Sequence, residues 1–247
     1  MESLTSRKNQ YIQHLRKLAS DSGYRAEQGE YVLDGEKLLR EALECGAAVT
    51  SVLWSGEAGF AVPGADMYSA PRELVEYASP LKNAPGPVFT VKIPAQQIPA
   101  WLDRVIVLEN VQDPGNVGTV IRTANALGMD AVILVGNCAS VFGAKTARAS
   151  MGALFRQCVL ELTQDELCAL LEERKLPLYG AALSTRARDV RETDLSRCAV
   201  AIGSEGQGLS KSLLSACAGE VIIPMEPGSE SLNAGVAAAV MMWEMCR

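Results

Sequence analysis

Three polar, glycine-rich segments of this 247-residue chain hold the side chains best suited to chemistry. NVQDPGNVGTVIRTANALG (110–128) carries Asn116 and Arg122. AIGSEGQGLS (201–210) carries Glu205, and IIPMEPGSESLNAGVAAA (222–239) carries Ser229, Glu230, Ser231 and Asn233. Each follows an apolar strand-like run, and two lead into a helix. Loops at the carboxyl ends of strands are where open α/β sheets bind ligands, so three in one domain suggest one composite site. The glycines of GSEGQG (203–208) let backbone amides approach a flat or polar ligand closely. That loop lacks the G-x-G-x-x-G dinucleotide fingerprint with its acidic residue about 20 positions on, which disfavours an NAD-binding enzyme. Lys145-Thr146 follows Gly-Ala without the P-loop glycine spacing. The only histidine is His14, which leaves almost no room for a zinc site or a Ser/His/Asp triad.

Read singly, these residues have ordinary structural roles. Asp113-Pro114-Gly115 is a turn signal, Asn116 can cap a helix over 116–127, and Gly128 can end it. Val117, Val120, Ile121, Ala124 and Leu127 form its buried stripe. Arg122 falls about 140° from Val117, off that stripe, and alone reads as a solvated residue. Glu205 reads equally as a cap for the next helix or as a group that binds a ligand or a partner arginine. Ser231 and Asn233 each suit the N-cap of the final helix.

The surrounding elements form two regions. Residues 1–93 read as a small α/β unit. It has a basic helix over 5–20, a strand and helix in YVLDGEKLLREALECG, strand VTSVLW, a helix from Pro71, and strand PVFTVKI. IPAQQIPAW (93–101) marks a linker, which is placed at 94–103. From 104 to 247 the pattern is strand 104–110, helix 116–127, strand AVILV, helix 143–150, helix 164–175 with the capping box TQDE, strands PLYGAAL and CAVAIG, helix 210–217, strand EVIIP and helix 233–246. Continuously apolar strands alternating with helices predict a parallel sheet covered on both faces. The last helix, NAGVAAAVMMWEMC, is apolar nearly all round, which predicts a subunit interface as well as a core.

Composition is that of a soluble globular protein, 48% hydrophobic and 21% charged, with apolar runs far short of a bilayer span. The N-terminus has no signal-peptide core, and seven cysteines without a CxxC pair fit free thiols in a reducing cytoplasm. A net charge of −6 argues mildly against nucleic acid, but local basic groups stand out against it. They are Arg7, Lys8, Arg16, Lys17 and Arg25 near the N-terminus, then Lys145, Arg148 and Arg156, then Arg186, Arg188 and Arg191.

Together, the three segments resemble motifs 1, 2 and 3 of the SPOUT-class RNA methyltransferases, in the TrmH (SpoU) branch that methylates ribose 2′-hydroxyls. The resemblance covers 104–247 with order and spacing intact. Residues 5–93 are similar, more weakly, to the ribosomal-protein-like RNA-binding domain of many members. The resemblance implies a C-terminal trefoil knot holding S-adenosylmethionine and an obligate homodimer through the C-terminal domain. It implies cofactor contacts at Gly203, Gly208, Leu209, Ile223, Met225 and Leu232, and catalytic roles for Asn116, Arg122, Glu205, Ser231 and Asn233. Asn116 and Glu205 would then hold Arg122, while Ser231 and Asn233 orient the nucleotide. Arg7, Lys8, Arg16, Lys17, Lys145, Arg148, Arg186 and Arg188 become candidates to track an RNA backbone. The separate N-terminal domain favours large-subunit (23S) ribosomal RNA as substrate. The alternatives are a tRNA 2′-O-methyltransferase and a non-catalytic RNA-binding or ribosome-assembly factor.

Overall fold

The computed structural model describes residues 1–82, 86–226, 228 and 231–247. Ser229 and Glu230 of the third polar segment lie outside the described residues. The chain divides into two compact units, residues 1–95 with 142–155, and residues 96–141 with 156–247.

The first unit holds β1 (Glu2–Ser3), α1 (Gln10–Ser20), α2 (Ser22–Gln28), β2 (Glu30–Asp34), α3 (Glu36–Glu44), β3 (Val49–Ser55), β4 (Asp66–Ala70), α4 (Arg72–Ala78) and β5 (Val88–Lys92). Its five-stranded sheet is mixed, in the order β1-β4-β3-β5-β2. Helix α1 begins later than the sequence predicts because Asn9 accepts from the Tyr11 amide and caps it there. Ile12, Leu15 and Leu18 face the core as expected. One polar chain threads this unit. His14 sits between the Tyr24 hydroxyl and Glu30 Oε1, and Glu30 Oε2 accepts from Thr50 Oγ1. The His14 hydrogen bond is the main cause holding the Glu30 carboxyl below its usual range, against the effect of burial. Residues 142–155 pack here too, with Phe142 against the Tyr31 ring at 4.9 Å and Ala147 fully buried. They include α6, numbered in chain order (Ala144–Ser150).

The second unit holds β6 (Arg104–Glu109), α5 (Pro114–Leu127), β7 (Ala131–Val135), β8 (Val159–Leu162), α7 (Gln164–Glu173), β9 (Leu178–Ala181), β10 (Arg188–Asp189), β11 (Cys198–Ile202), α8 (Lys211–Ala216), β12 (Gly219–Ile222) and α9 (Ala234–Glu244). All seven strands are parallel, in the order β10-β12-β9-β11-β6-β7-β8. The expected parallel α/β sheet is present. Its outermost strands β8 and β10 escape the sequence pattern because they are short and stand at the sheet edges, where one side lacks a partner. Side chains alternate across the sheet. Val105, Val107, Ile133 and Ala201 pack with Leu167, Leu170 and Leu213 of α7 and α8. Ile106 and Leu108, equally buried, face the other way, and α5 and α9 pack against the sheet and each other.

The segment read as a linker is tied down where it enters this unit. Ala100 O accepts from Arg174 Nη1 at 2.7 Å, and Gln96 Oε1 accepts from the Glu161 amide. Among the described residues no helix is long and apolar enough to cross a membrane. The seven cysteines are free thiols. Burial pushes the Cys198 thiol up to about 12 and the Cys217 thiol up to about 11. The thiolate is the reactive form, so at pH 8 both hold a negligible thiolate fraction. Brief alkylation of native protein at pH 8, read by peptide mass spectrometry, is expected to label exposed Cys246 and spare Cys198 and Cys217. Early labelling of Cys198 would contradict the sheet core described here.

Candidate active site

The three polar segments meet at the carboxyl edge of the parallel sheet. The sequence places the cap of α5 at Asn116, but the structure moves it to Asp113, whose side chain accepts from the Asn116 amide at 2.8 Å. Proline fits the first helical position, where its missing N–H costs nothing. With the helix already capped, the Asn116 carboxamide is free for another use. Its Nδ2 donates to Glu205 Oε1 at 2.9 Å.

Glu205 does not cap α8, because Ser210 does, accepting from the Leu213 amide at 3.1 Å. Instead Glu205 Oε1 gathers three donors. Besides Asn116 it accepts from Asn233 Nδ2 at 2.6 Å and from the Ala234 amide at 3.2 Å. Asn233 is also the N-cap of α9, its Oδ1 accepting from the Val236 amide, while its Nδ2 reaches Asn116 Oδ1 at 3.0 Å. One carboxylate oxygen thus joins the first turn of α5, the 203–209 loop and the first turn of α9. Gly235 sits tightly here, where an added Cβ would lie 3.3 Å from Asn116 Oδ1 and 3.2 Å from Asn233 Oδ1.

The loop after β11 is shaped by Gly203. A Cβ there would fall 2.1 Å from the Gly208 carbonyl carbon and 2.3 Å from the Leu209 nitrogen, so no other residue fits without moving the chain. Gly208 N donates to Ser204 O at 2.8 Å, and Gly208 takes φ +66°, which favours glycine. Leu209 then turns into the core. Beyond β12, Ile223 and Met225 are half-buried, as is Leu232. Exposed loop backbone at 205–208 and partly covered apolar side chains are what a nucleoside-bearing cofactor requires, polar groups for its edges and apolar ones for its faces. The residues present fit S-adenosylmethionine.

Two other expected site residues of the same unit, Arg122 and Ser231, stand outside this cluster. Arg122 is exposed and makes no hydrogen bond or ion pair among the described residues, so Asn116 and Glu205 hold Asn233 and not the arginine of the same chain. Six residues along an α-helix turn through about 600°, which puts Arg122 about 120° around α5 from Asn116. Ser231 is exposed, outside the Glu205 network. In the first unit, Arg7 and Arg16 stack over Tyr77 at 4.6 and 5.2 Å, and Lys17 lies over Tyr24. Lys8, Lys145, Arg148 and Arg188 are exposed. Arg186 is paired with Glu220 at 2.7 Å and Arg191 with Asp189, which neutralises much of the third basic group. The sequence reading took Asp113 as a turn residue and not as the cap, and passed over Glu109. Asp113 was signalled by its place before Pro-Gly, and Glu109 by a carboxylate standing where an apolar residue would continue the strand.

Fold and site define a parallel α/β protein in which the loops after β6, β11 and β12 gather at the carboxyl edge of the sheet, the place where such sheets bind ligands. The chain matches the SpoU rRNA Methylase family over residues 103–243 and belongs to it. It is 28% identical, over 99% of both chains, to the 23S rRNA (guanosine(2553)-2′-O)-methyltransferase RlmP of Bacillus subtilis. It is 29% identical to a 23S rRNA (uridine(2479)-2′-O)-methyltransferase of Streptomyces viridochromogenes, over 99% of this chain and 91% of that one. The solved SpoU methyltransferase AviRb of the same organism, in complex with S-adenosylmethionine, superposes with a TM-score of 0.88 at 27% identity, covering 97% of this chain and 98% of AviRb. The activity and cofactor implied by the three motifs, S-adenosylmethionine-dependent 2′-O-methylation of RNA, are those that these comparisons show.

The two roles of Asn233 can be separated. Aspartate caps a helix as well as asparagine does, but Asn233→Asp sets a second carboxylate against Glu205 Oε1. Like charges raise a carboxyl pKa, so the folded variant binds a proton more tightly than its unfolded chain. Its stability deficit is therefore expected to be largest at neutral pH and to shrink as pH falls toward 4. Asn233→Ala loses the cap and a donor, about 1–3 kcal/mol, with no such recovery. Urea unfolding of both variants at pH 7.5 and pH 5 checks this. A deficit for the aspartate variant that does not change with pH would refute the contact.

Proposed function

We propose that this chain methylates a ribose 2′-hydroxyl in large-subunit ribosomal RNA, acting as a homodimer whose knotted C-terminal segment holds the cofactor. The carrying observation is the Asn116–Glu205–Asn233 cluster, built from all three motif segments at the sheet edge. Ribosomal RNA is favoured because likeness to the two 23S enzymes runs through the whole chain, first unit included. Those enzymes modify different nucleotides at nearly equal identity, so overall likeness does not choose the base. The knot is supported by connectivity. After β12, which lies beyond β9 from β11, the chain returns so that α9 packs on β11 and α5. A homodimer is supported by α9, where Val236 and Trp243, seven residues apart on one face, are 50% and 60% exposed in a helix otherwise rich in buried apolar residues.

S-adenosylmethionine supplies a methyl group on a sulfonium, reactive enough that positioning is the main catalytic need. The chain's own residues then hold the nucleotide. Guanidinium is effectively never deprotonated in proteins, so Arg122 is not the base. It clamps the adjoining phosphate and stabilises the developing 2′-alkoxide, while the hydroxyl proton leaves to a phosphate oxygen or water. Arg122 points away from the cluster of its own chain, so it serves the cluster of a second copy, meeting the Glu205 carboxylate there. Ser231 and Asn233 orient the reacting nucleotide. In the first unit, the cations at 7–17 and the exposed Lys145 and Arg148 track the RNA backbone.

Arg122→Ala is expected to lower methyl transfer by about 10²–10³-fold, the usual size for losing one charge-stabilising donor, with S-adenosylmethionine affinity by calorimetry unchanged. Mixed dimers test the division between copies. Inactive Arg122→Ala and Asn233→Ala chains, co-expressed with different tags and purified through both, are expected to regain one working site per dimer. Absence of recovery would return Arg122 to its own chain's site. Mapping 2′-O-methyl groups in ribosomal and transfer RNA of the source organism, with and without the gene, identifies the substrate. Loss of a single mark in 23S rRNA is expected, and loss only in tRNA would overturn the ribosomal assignment.

A further inference from the structure

Glu109 stands out among the buried polar groups of the second unit. It is the last residue of β6 and only 4% exposed. By strand alternation it continues the row of Val105 and Val107, both in the apolar layer with Leu209 and Leu213. A carboxylate in such a layer is costly unless its oxygens are satisfied. Both are, by a single residue. Ser210 N donates to Oε2 at 2.7 Å and Ser210 Oγ donates to Oε1 at 2.7 Å. Ser210 Oγ in turn accepts from the Leu213 amide and starts α8.

Ser210 is where the 203–209 loop ends. The loop begins at Ile202, paired with Leu108 on the neighbouring β6, so both stems are referred to adjacent residues of one strand. Between the stems stand Glu205, which gathers Asn116 and Asn233, and the glycines that let the loop fold on itself. Next to Ser210, Leu209 occupies the space that a side chain at Gly180 would take, since an added Cβ there would lie 3.1 Å from Leu209 Cδ1.

We infer that Glu109 is a positioning residue for the cofactor loop, its carboxylate fixing Ser210 and through it the 203–209 segment against which S-adenosylmethionine binds. This rests on the methyltransferase reading and adds a residue outside the three motif segments. Glu109 touches neither cofactor nor RNA. Its effect therefore falls on cofactor affinity, with RNA affinity untouched.

The test compares full-length Glu109→Leu, Glu109→Gln and Ser210→Thr with wild type, by calorimetric titration with S-adenosylmethionine and by kinetics with RNA. Leucine fills the space but accepts nothing. Its Kd and KM for S-adenosylmethionine are expected to rise at least about tenfold, the scale of a lost charge-assisted hydrogen bond, with KM for RNA unchanged. Glutamine keeps an acceptor for the Ser210 amide and can donate to Oγ, so it is expected to restore most of the affinity, and Ser210→Thr to retain it. Should the leucine variant not fold, Ser210→Ala takes its place, with weakened cofactor binding expected where Ser210→Thr is normal. A folded Glu109→Leu or Ser210→Ala protein with wild-type affinity overturns the inference, as does an equal rise in both KM values. Wild-type protein that fails to bind S-adenosylmethionine overturns the methyltransferase reading and this role with it. Normal wild-type binding with unaltered variants overturns the role of Glu109 alone.

Discussion

One carboxylate oxygen organises this site. Glu205 Oε1 accepts from two side-chain amides and a backbone amide, and these three donors belong to two helices that are distant in sequence. A carboxylate surrounded by N–H groups makes stronger hydrogen bonds than neutral partners would. The Asn233 carboxamide also caps α9 with its oxygen, so the same side chain that starts the last helix fixes it against α5. Close packing of the two helices at this end depends on Gly235, where any side chain would press on both asparagine oxygens. The geometry of the three loops therefore follows from one acceptor and two carboxamides, and the rest of the sheet serves to bring them within reach.

The parallel sheet was legible because its inner strands are apolar on both faces, as in RVIVL, AVILV and CAVAI, and helices fall between them. What escaped was short or local. The four residues of β8 and the two of β10 carry too little pattern to separate from loop, and only pairing with β7 and β12 makes them strands. The segment 142–155 reads naturally as part of the C-terminal half, yet its apolar residues Phe142, Ala147, Leu154 and Phe155 join the cluster of Tyr31, Leu39 and Phe89. Periodicity shows that a helix has an apolar face but not which core that face enters. The cap of α5 was misplaced for a similar reason. Asp113 and Asn116 are both good caps, and the choice depends on Pro114 being tolerated inside the first turn.

For the site, the motif segments named the residues but not their partners. Spacing left Glu205 open between a helix cap and a ligand-holding group, and Asn233 open between cap and catalysis. The structure makes Asn233 the cap of α9 and a donor to Glu205 at once, and relieves Glu205 of capping because Ser210 does that work. Arg122 shows the opposite case. The reading of its position on the helix as off the buried stripe was right, and it is this exposed position that separates it from the cluster in its own chain. The proposed sharing of the site between two copies is what would bring so exposed a residue to a cluster.

Charge explains why an acidic chain can still serve RNA. Net charge describes the field at a distance, whereas phosphate contacts are made within a Debye length of about 8 Å. Near the surface, what matters is which cations lack an acidic partner. Arg186 and Arg191 spend their charge on Glu220 and Asp189, and Arg40 and Arg72 on glutamates one turn along their helices. Arg7, Arg16 and Lys17 are disposed differently, over tyrosine rings. A ring face holds a cation without neutralising it, so the positive charge there stays directed outward. The basic surface without an acidic partner is thus narrower than the sequence suggests, and in the first unit it includes Arg7, Arg16 and Lys17, whose field is local enough to survive an overall charge of −6.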